Sequence, residues 1–160
     1  MNDWLPPDFV GQYVGSNVIA IALLLAAFRW PQVVRWAFVV VFAGGAIANA
    51  VMVTLDPQLY VEGYAALAWP LYRGFIEGTF SRFPVPMVLA IAAGQGLVAL
   101  LLARSRRLRW LGVAGGVVFL LAVAPLGVGS GFPATVVMAL ALITAGRRLT
   151  YRPLSAAAAQ

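Results

Sequence analysis

Residues 33–55 read VVRWAFVVVFAGGAIANAVMVTL, an apolar run that stops at Asp56-Pro57. Its one charge, Arg35, lies near an end. A bilayer core of ~30 Å is crossed by about 20 such residues in a helix, so this stretch predicts a membrane span. Upstream, Phe9 to Phe28 is a second run, closed by Arg29-Trp30-Pro31, a basic and aromatic interface signature followed by a helix breaker. Downstream, a span begins near Pro84 and Pro86, where proline is tolerated in a first turn, and continues to Ala103. A fourth runs from about Trp110 to Leu126, and a short fifth from about Phe132 to Ala145. Between these two, the segment Pro125 to Pro133 must turn the chain. It reads either as a hairpin joining two full spans or as a re-entrant piece buried in protein. The expected fold is all-α, a polytopic transmembrane helix bundle of about five spans.

Composition agrees. Of 160 residues, 62% are hydrophobic and 10% charged, against about 25% charged in an average soluble domain. The mean hydropathy is +0.91. Residues 1–149 are read as one transmembrane domain, and 150–160, with its Ala156–Ala159 run, as a disordered cytoplasmic tail. The start, Met1-Asn2-Asp3-Trp4, lacks the positive stretch of a signal peptide, so the first run is expected to be retained. There is no Cys, His or Lys. That removes thiol chemistry, the commonest general base and the usual metal ligands. No cofactor, metal or catalytic residue is expected, which argues against an enzyme.

The net charge is +6, with every positive side chain an arginine. These arginines flank apolar runs, which fits a topology signal and not a nucleic-acid surface. In the five-span reading Arg29, Arg35, Arg104, Arg106, Arg107, Arg109, Arg147, Arg148 and Arg152 share one side. Asp3, Asp8, Asp56, Glu62 and Glu77 share the other, with only Arg73 and Arg82. The positive-inside rule then places the protein in a bacterial inner membrane with its N-terminus outside and its C-terminus in the cytoplasm.

Between spans two and three, residues 57–82 predict an external, amphipathic, broken helix. Asp56-Pro57 resembles a cap followed by a first-turn proline. Tyr60, Tyr64, Leu67, Leu71 and Phe75 fall on one helical stripe. Gln58, Glu62, Ala66, Trp69, Arg73 and Glu77 fall opposite, and Pro70 should kink or divide the helix.

Several residues are candidates for function. Glu62, Arg73 and Glu77 suit either a cation or proton site or an ion-pair network that fixes the cap. Asn17, Asn49, Thr54 and Gln95 are polar groups inside apolar runs. They should face the bundle interior, as interhelical hydrogen bonds or as the lining of a ligand cavity. Gly112 and Gly116 show a GxxxG spacing that permits close helix approach, as do Gly11 and Gly15, Gly74 and Gly78, and Gly127 and Gly131. Arg104, Arg106, Arg107 and Arg109 crowd one short loop and are expected to contact anionic lipid headgroups. Trp69, set before Pro70, is expected to wall an apolar pocket.

The stretch Tyr72-Arg73-Gly74-Phe75-Ile76-Glu77-Gly78, followed by Gln95-Gly96-Leu97 and the arginine loop, resembles DoxX-type small bacterial membrane proteins. The resemblance covers residues 70–130. That group tends to carry an acidic residue where this chain has Gln95, a departure that argues against a proton-linked role. The resemblance implies a small helical bundle serving a larger process, and no catalytic residue transfers. The reading is of a non-enzymatic membrane protein that binds a lipid-like or quinone-like molecule, or is an accessory subunit of a membrane complex. Trp69, Arg73, Glu77, Asn49 and Gln95 form the expected ligand site. The alternative is a small transporter or channel, built as a homo-oligomer with Glu62 and Glu77 at its mouth.

Overall fold

The computed structural model describes residues 10–150. The first nine residues and the tail from 151, with Trp4, Asp3, Asp8 and Arg152, lie outside the described residues. Every described element is helical, and there is no strand among them. Five long helices carry the fold: α1 (Val10–Arg29), α2 (Pro31–Leu55), α5 (Pro84–Ala103), α6 (Arg106–Val123) and α7 (Ala134–Thr150). Two short ones, α3 (Gln58–Ala65) and α4 (Pro70–Phe75), lie between α2 and α5, with a π-helical turn, Ile76–Phe80, completing α4. A 3₁₀ segment, Ala124–Ser130, extends α6.

Local chemistry sets these limits. Proline opens α2, α4 and α5 in the first turn, where its missing N–H goes unnoticed. Asp56 ends α2 and starts α3: its Oδ1 accepts hydrogen bonds from the N–H groups of Gln58 (3.1 Å) and Leu59 (3.3 Å). The α6–α7 turn uses positive φ at Gly127 (72°) and Gly131 (82°). At Gly127 a Cβ would run into the carbonyl oxygen of Leu67.

Four helical stretches are long and apolar enough to cross a membrane: Val10–Arg29, Pro31–Leu55, Pro84–Ala103 and Arg106–Ser130. Helix α7 has 17 residues, a rise of about 26 Å at ~1.5 Å per residue. It runs antiparallel to α6 along its length, since Trp110 in the first turns of α6 reaches Thr150 at the end of α7. The last two helices are therefore a hairpin. Both differ from their sequence expectation at the arginine end. α6 starts at Arg106, not Trp110, and α7 continues past Ala145 to Thr150, because helical hydrogen bonding runs on where hydropathy falls.

The core lies between α2, α5, α6 and α7, around Val34, Phe38, Phe42, Leu102, Leu120 and Leu142. Gly116 makes it possible. A Cβ there would stand 2.7 Å from Leu142 Cδ2 and 3.2 Å from Phe42 Cε2. Gly112, one turn earlier, lies against the backbone of Leu102 in α5. This GxxxG spacing is a packing face, whereas a Cβ added at Gly11, Gly15, Gly74 or Gly78 would meet nothing within 4 Å. Outside the core, large apolar side chains face outward on every long helix. They include Val18 and Leu25 on α1, Val33, Val40 and Ile47 on α2, Leu97 and Leu100 on α5, Val118 on α6 and Leu140 on α7. Apolar on both its inner and outer faces, such a bundle takes lipid as its solvent.

A second cluster joins α3, α4 and the π turn to one end of the bundle. Val53, Ala68, Ile76, Phe80 and Val88 are buried there, with Tyr60, Tyr64 and Tyr72 packed against them. The expected stripe holds only in its first half. Beyond Pro70, Leu71 and Phe75 face outward at 83% and 46% exposure, and Tyr72, Ile76 and Phe80 take the inward positions. The reason is the interruption. Residues 66–69 leave the helix and Trp69 is extended (φ −59°, ψ 152°), so α4 restarts with a new phase.

Candidate functional site

Three polar side chains from three helices form one chain of hydrogen bonds at the capped end. The Tyr60 hydroxyl of α3 donates to Asn49 Oδ1 of α2 (2.9 Å). Asn49 Nδ2 donates in turn to Gln95 Oε1 of α5 (2.7 Å). Gln95 is buried, and its amide lies over Gly45, where a Cβ would come within 2.9 Å of Nε2. The glycine notch is what lets an amide sit between α2 and α5. In an apolar surrounding each unmet polar group is costly, and Tyr60 and Gln95 together satisfy both ends of the Asn49 amide. Burial raises the Tyr60 phenol above its ordinary range, and the neighbouring Tyr64 adds to this, so Tyr60 stays a neutral donor. Among the described residues, the hydrogen bond that Gln95 makes is through Oε1, which accepts from Asn49.

Of the five expected ligand-site residues, the structure joins Asn49 and Gln95 and sets the other three apart. Arg73 lies on the exposed side of the cap. Its Nε and one terminal nitrogen donate to the carbonyl oxygens of Ala65 (2.9 Å) and Ala66 (3.0 Å), closing the C-terminal end of α3. It forms no ion pair with Glu77, which is exposed on the π turn. Glu62 is also exposed. Trp69 is 51% exposed and packs edge-to-face on Phe132 at 5.8 Å, while its backbone N–H donates to the carbonyl of Pro125 (2.9 Å). It walls the α6–α7 turn. Asn17 and Thr54 bond to the backbone of their own helices, at Tyr13 and Val51.

The opposite end holds the arginines. Arg104 and Arg107 are exposed. One terminal nitrogen of Arg106 donates to the carbonyl of Thr150 (3.3 Å). Arg109 is partly buried, and its Nε is buried without a partner. Arg106, Arg109, Trp110, Val113, Gly146 and Thr150 line a shallow crevice between α6 and α7. Two participants escape the sequence reading. Tyr60 reads as one residue of an apolar stripe, and Arg35 as a topology marker, yet Arg35 is buried. Its place inside an apolar run, not before it, is the signal that it differs from the other arginines.

No protein-family model matches the chain, and no curated protein or solved structure matches it either. No cluster of His, Cys, Asp or Glu suited to a metal ion occurs among the described residues.

Proposed function

We propose that the protein is a non-enzymatic, five-span bundle of a bacterial inner membrane, with α7 as the fifth span. Its arginine end lies in the cytoplasm and its cap outside, and it binds a lipid-like or quinone-like molecule. The observation that carries this reading is the Tyr60–Asn49–Gln95 chain. It places an amide donor between α2 and α5 in an apolar bundle, next to a cap of aromatic side chains. A quinone carbonyl or an ester oxygen is the kind of acceptor that Gln95 Nε2 would take, with its apolar part along α2 and α5. The positive-inside rule supports the orientation, because the described arginines at the α2 and α6 N-termini face away from Asp56, Glu62 and Glu77. The likeness to DoxX-type proteins supports the same class.

A second reading, the accessory subunit, rests on the cap. Trp69, Leu71, Phe75 and Phe83 are exposed together in sequence on one end of the bundle, a surface suited to a membrane partner. The test for both is native mass spectrometry from nanodiscs, with wild type, Asn49→Ala and Gln95→Leu side by side. A small-molecule adduct on wild type that both variants lose supports the binding reading. An added polypeptide supports the subunit. A bare symmetric oligomer overturns both and points to the transporter or channel.

A further inference from the structure

Arg35 stands in the second turn of α2 and is only 8% exposed. Its Nε is buried and has no hydrogen-bond partner. Its guanidinium lies over the ring of Trp36, 4.6 Å from the centroid, an attraction that leaves the N–H donors unused. Arg109, in the first turn of α6, repeats the pattern: its Nε too is buried and unpartnered. Val34, beside Arg35, and Val113, one turn beyond Arg109, belong to one buried cluster with Leu102, so both arginines stand at the same end of the core. Like charges brought together and removed from water are unfavourable unless an anion joins them. No described side chain provides one. The described carboxylates, Asp56, Glu62 and Glu77, all belong to the capped end.

The backbone adds to the same field. α2 and α6 both begin at this end, so the positive ends of two helix dipoles face the region of Arg35 and Arg109. Each guanidinium is a planar fork whose donors match the oxygens of a phosphate. Trp36 and Trp110 flank the pair in sequence, aromatic side chains of the kind that sit at headgroup depth. We infer that Arg35 and Arg109 form a binding site for a phosphate oxyanion at the arginine end of the bundle. The source is either the headgroup of an anionic phospholipid or a free phosphate ion. This site is separate from the Gln95 site and uses none of its residues.

The test takes full-length protein in a neutral detergent, washed free of lipid. It is offered phosphatidylglycerol, phosphatidylcholine at equal concentration, or inorganic phosphate. Retained adducts are read by native mass spectrometry and protection by the thermal midpoint. Phosphatidylglycerol should be retained in preference to phosphatidylcholine. Arg35→Gln and Arg109→Gln should each lower that retention by about twentyfold or more, as loss of a hydrogen bond to a charged group implies. Arg147→Gln removes an exposed charge at the same end and should lower it by no more than about fivefold, the general attraction of one charge to an anionic surface. Arg35→Lys keeps the charge without the fork and should fall between. If Arg35→Gln does not fold, Arg109→Gln, whose side chain is less buried, carries the comparison. Protection by inorganic phosphate with the same arginine dependence assigns the site to a free ion. Equal loss in all three glutamine variants, or no loss in any, overturns it. Phosphatidylglycerol and phosphatidylcholine carry the same ester oxygens, so their difference reads the arginine site alone, and loss of that preference in Arg109→Gln is distinguishable from failure of the Gln95 site.

Discussion

Gly116→Ala and Gly94→Ala are the same chemical change on two apolar helices, and the structure gives them opposite signs. At Gly116 the new methyl would stand 2.7 Å from Leu142 Cδ2 and 3.2 and 3.3 Å from two ring atoms of Phe42. Neither neighbour has room to retreat, since Leu142 is 1% and Phe42 2% exposed. Overpacking of this kind costs about 1–3 kcal/mol, and alanine's better helix propensity returns about 0.5–1 kcal/mol of it. The net expectation is a loss of about 1–2 kcal/mol, or roughly 5–30-fold in the folded-to-unfolded ratio. Gly94 is exposed, with nothing within 4 Å of the added methyl. Only the propensity gain remains, about 0.5–1 kcal/mol of stabilisation. Reversible unfolding in mixed micelles by rising dodecyl sulfate measures both. Gly116→Ala at or above wild-type stability would refute the packing of α6 against α2 and α7. Destabilisation by Gly94→Ala would show that the outer face of α5 is covered by another chain.

Three further outcomes follow from the capped end. A double-mutant cycle on Asn49→Ala and Gln95→Leu should return a coupling of about 0.6–1 kcal/mol, the usual worth of a hydrogen bond between membrane helices; zero coupling would remove the bond between them. Gly127→Ala combines a positive φ with a collision at Leu67, so it should loosen the cap by about 2 kcal/mol or more. Faster tryptic cleavage after Arg73, with cleavage after Arg147 unchanged, would register it. Tyr60 has a phenol pKa raised in the folded state by burial and by Tyr64. Its contribution is therefore complete below the unfolded value of about 10 and is lost as pH rises through the higher folded value. Wild type should lose stability above about pH 10 more steeply than Tyr60→Phe, and equal slopes would contradict the hydrogen bond to Asn49.

Much of the bundle was legible because hydropathy and proline act locally. The span expected to begin near Pro84 and Pro86 and to reach Ala103 is the helix Pro84–Ala103, and Leu55-Asp56-Pro57 marks the end of α2. Reading failed where the decisive contact is distant in sequence. Asn49 and Gln95 were recognisable as polar residues in apolar runs, but their pairing spans 46 positions and depends on a notch at Gly45. The cap stripe was right until Pro70 and wrong after it, since a helical count cannot pass through four residues that are not helical. Arg73 illustrates a third kind of miss. The i,i+4 spacing to Glu77 suggests an ion pair, but two carbonyls left open at the end of α3 use its donors instead.

The fastening of the cap has a consequence for biogenesis. The Trp69 backbone N–H is bound by the carbonyl of Pro125, the Tyr72 hydroxyl by the carbonyl of Ala122 (2.8 Å), and Leu67 stands over Gly127 and Gly129. The middle of the chain thus leaves the ribosome before the floor it rests on has been made. Until the last hairpin has folded, Tyr64, Leu67, Trp69 and Tyr72 lack the surface they cover in the finished protein. A chain truncated after α5 would carry an unseated cap. Such an intermediate is what a quality-control protease or a chaperone would recognise, and the packing of α6 and α7 onto the cap is the step that hides it.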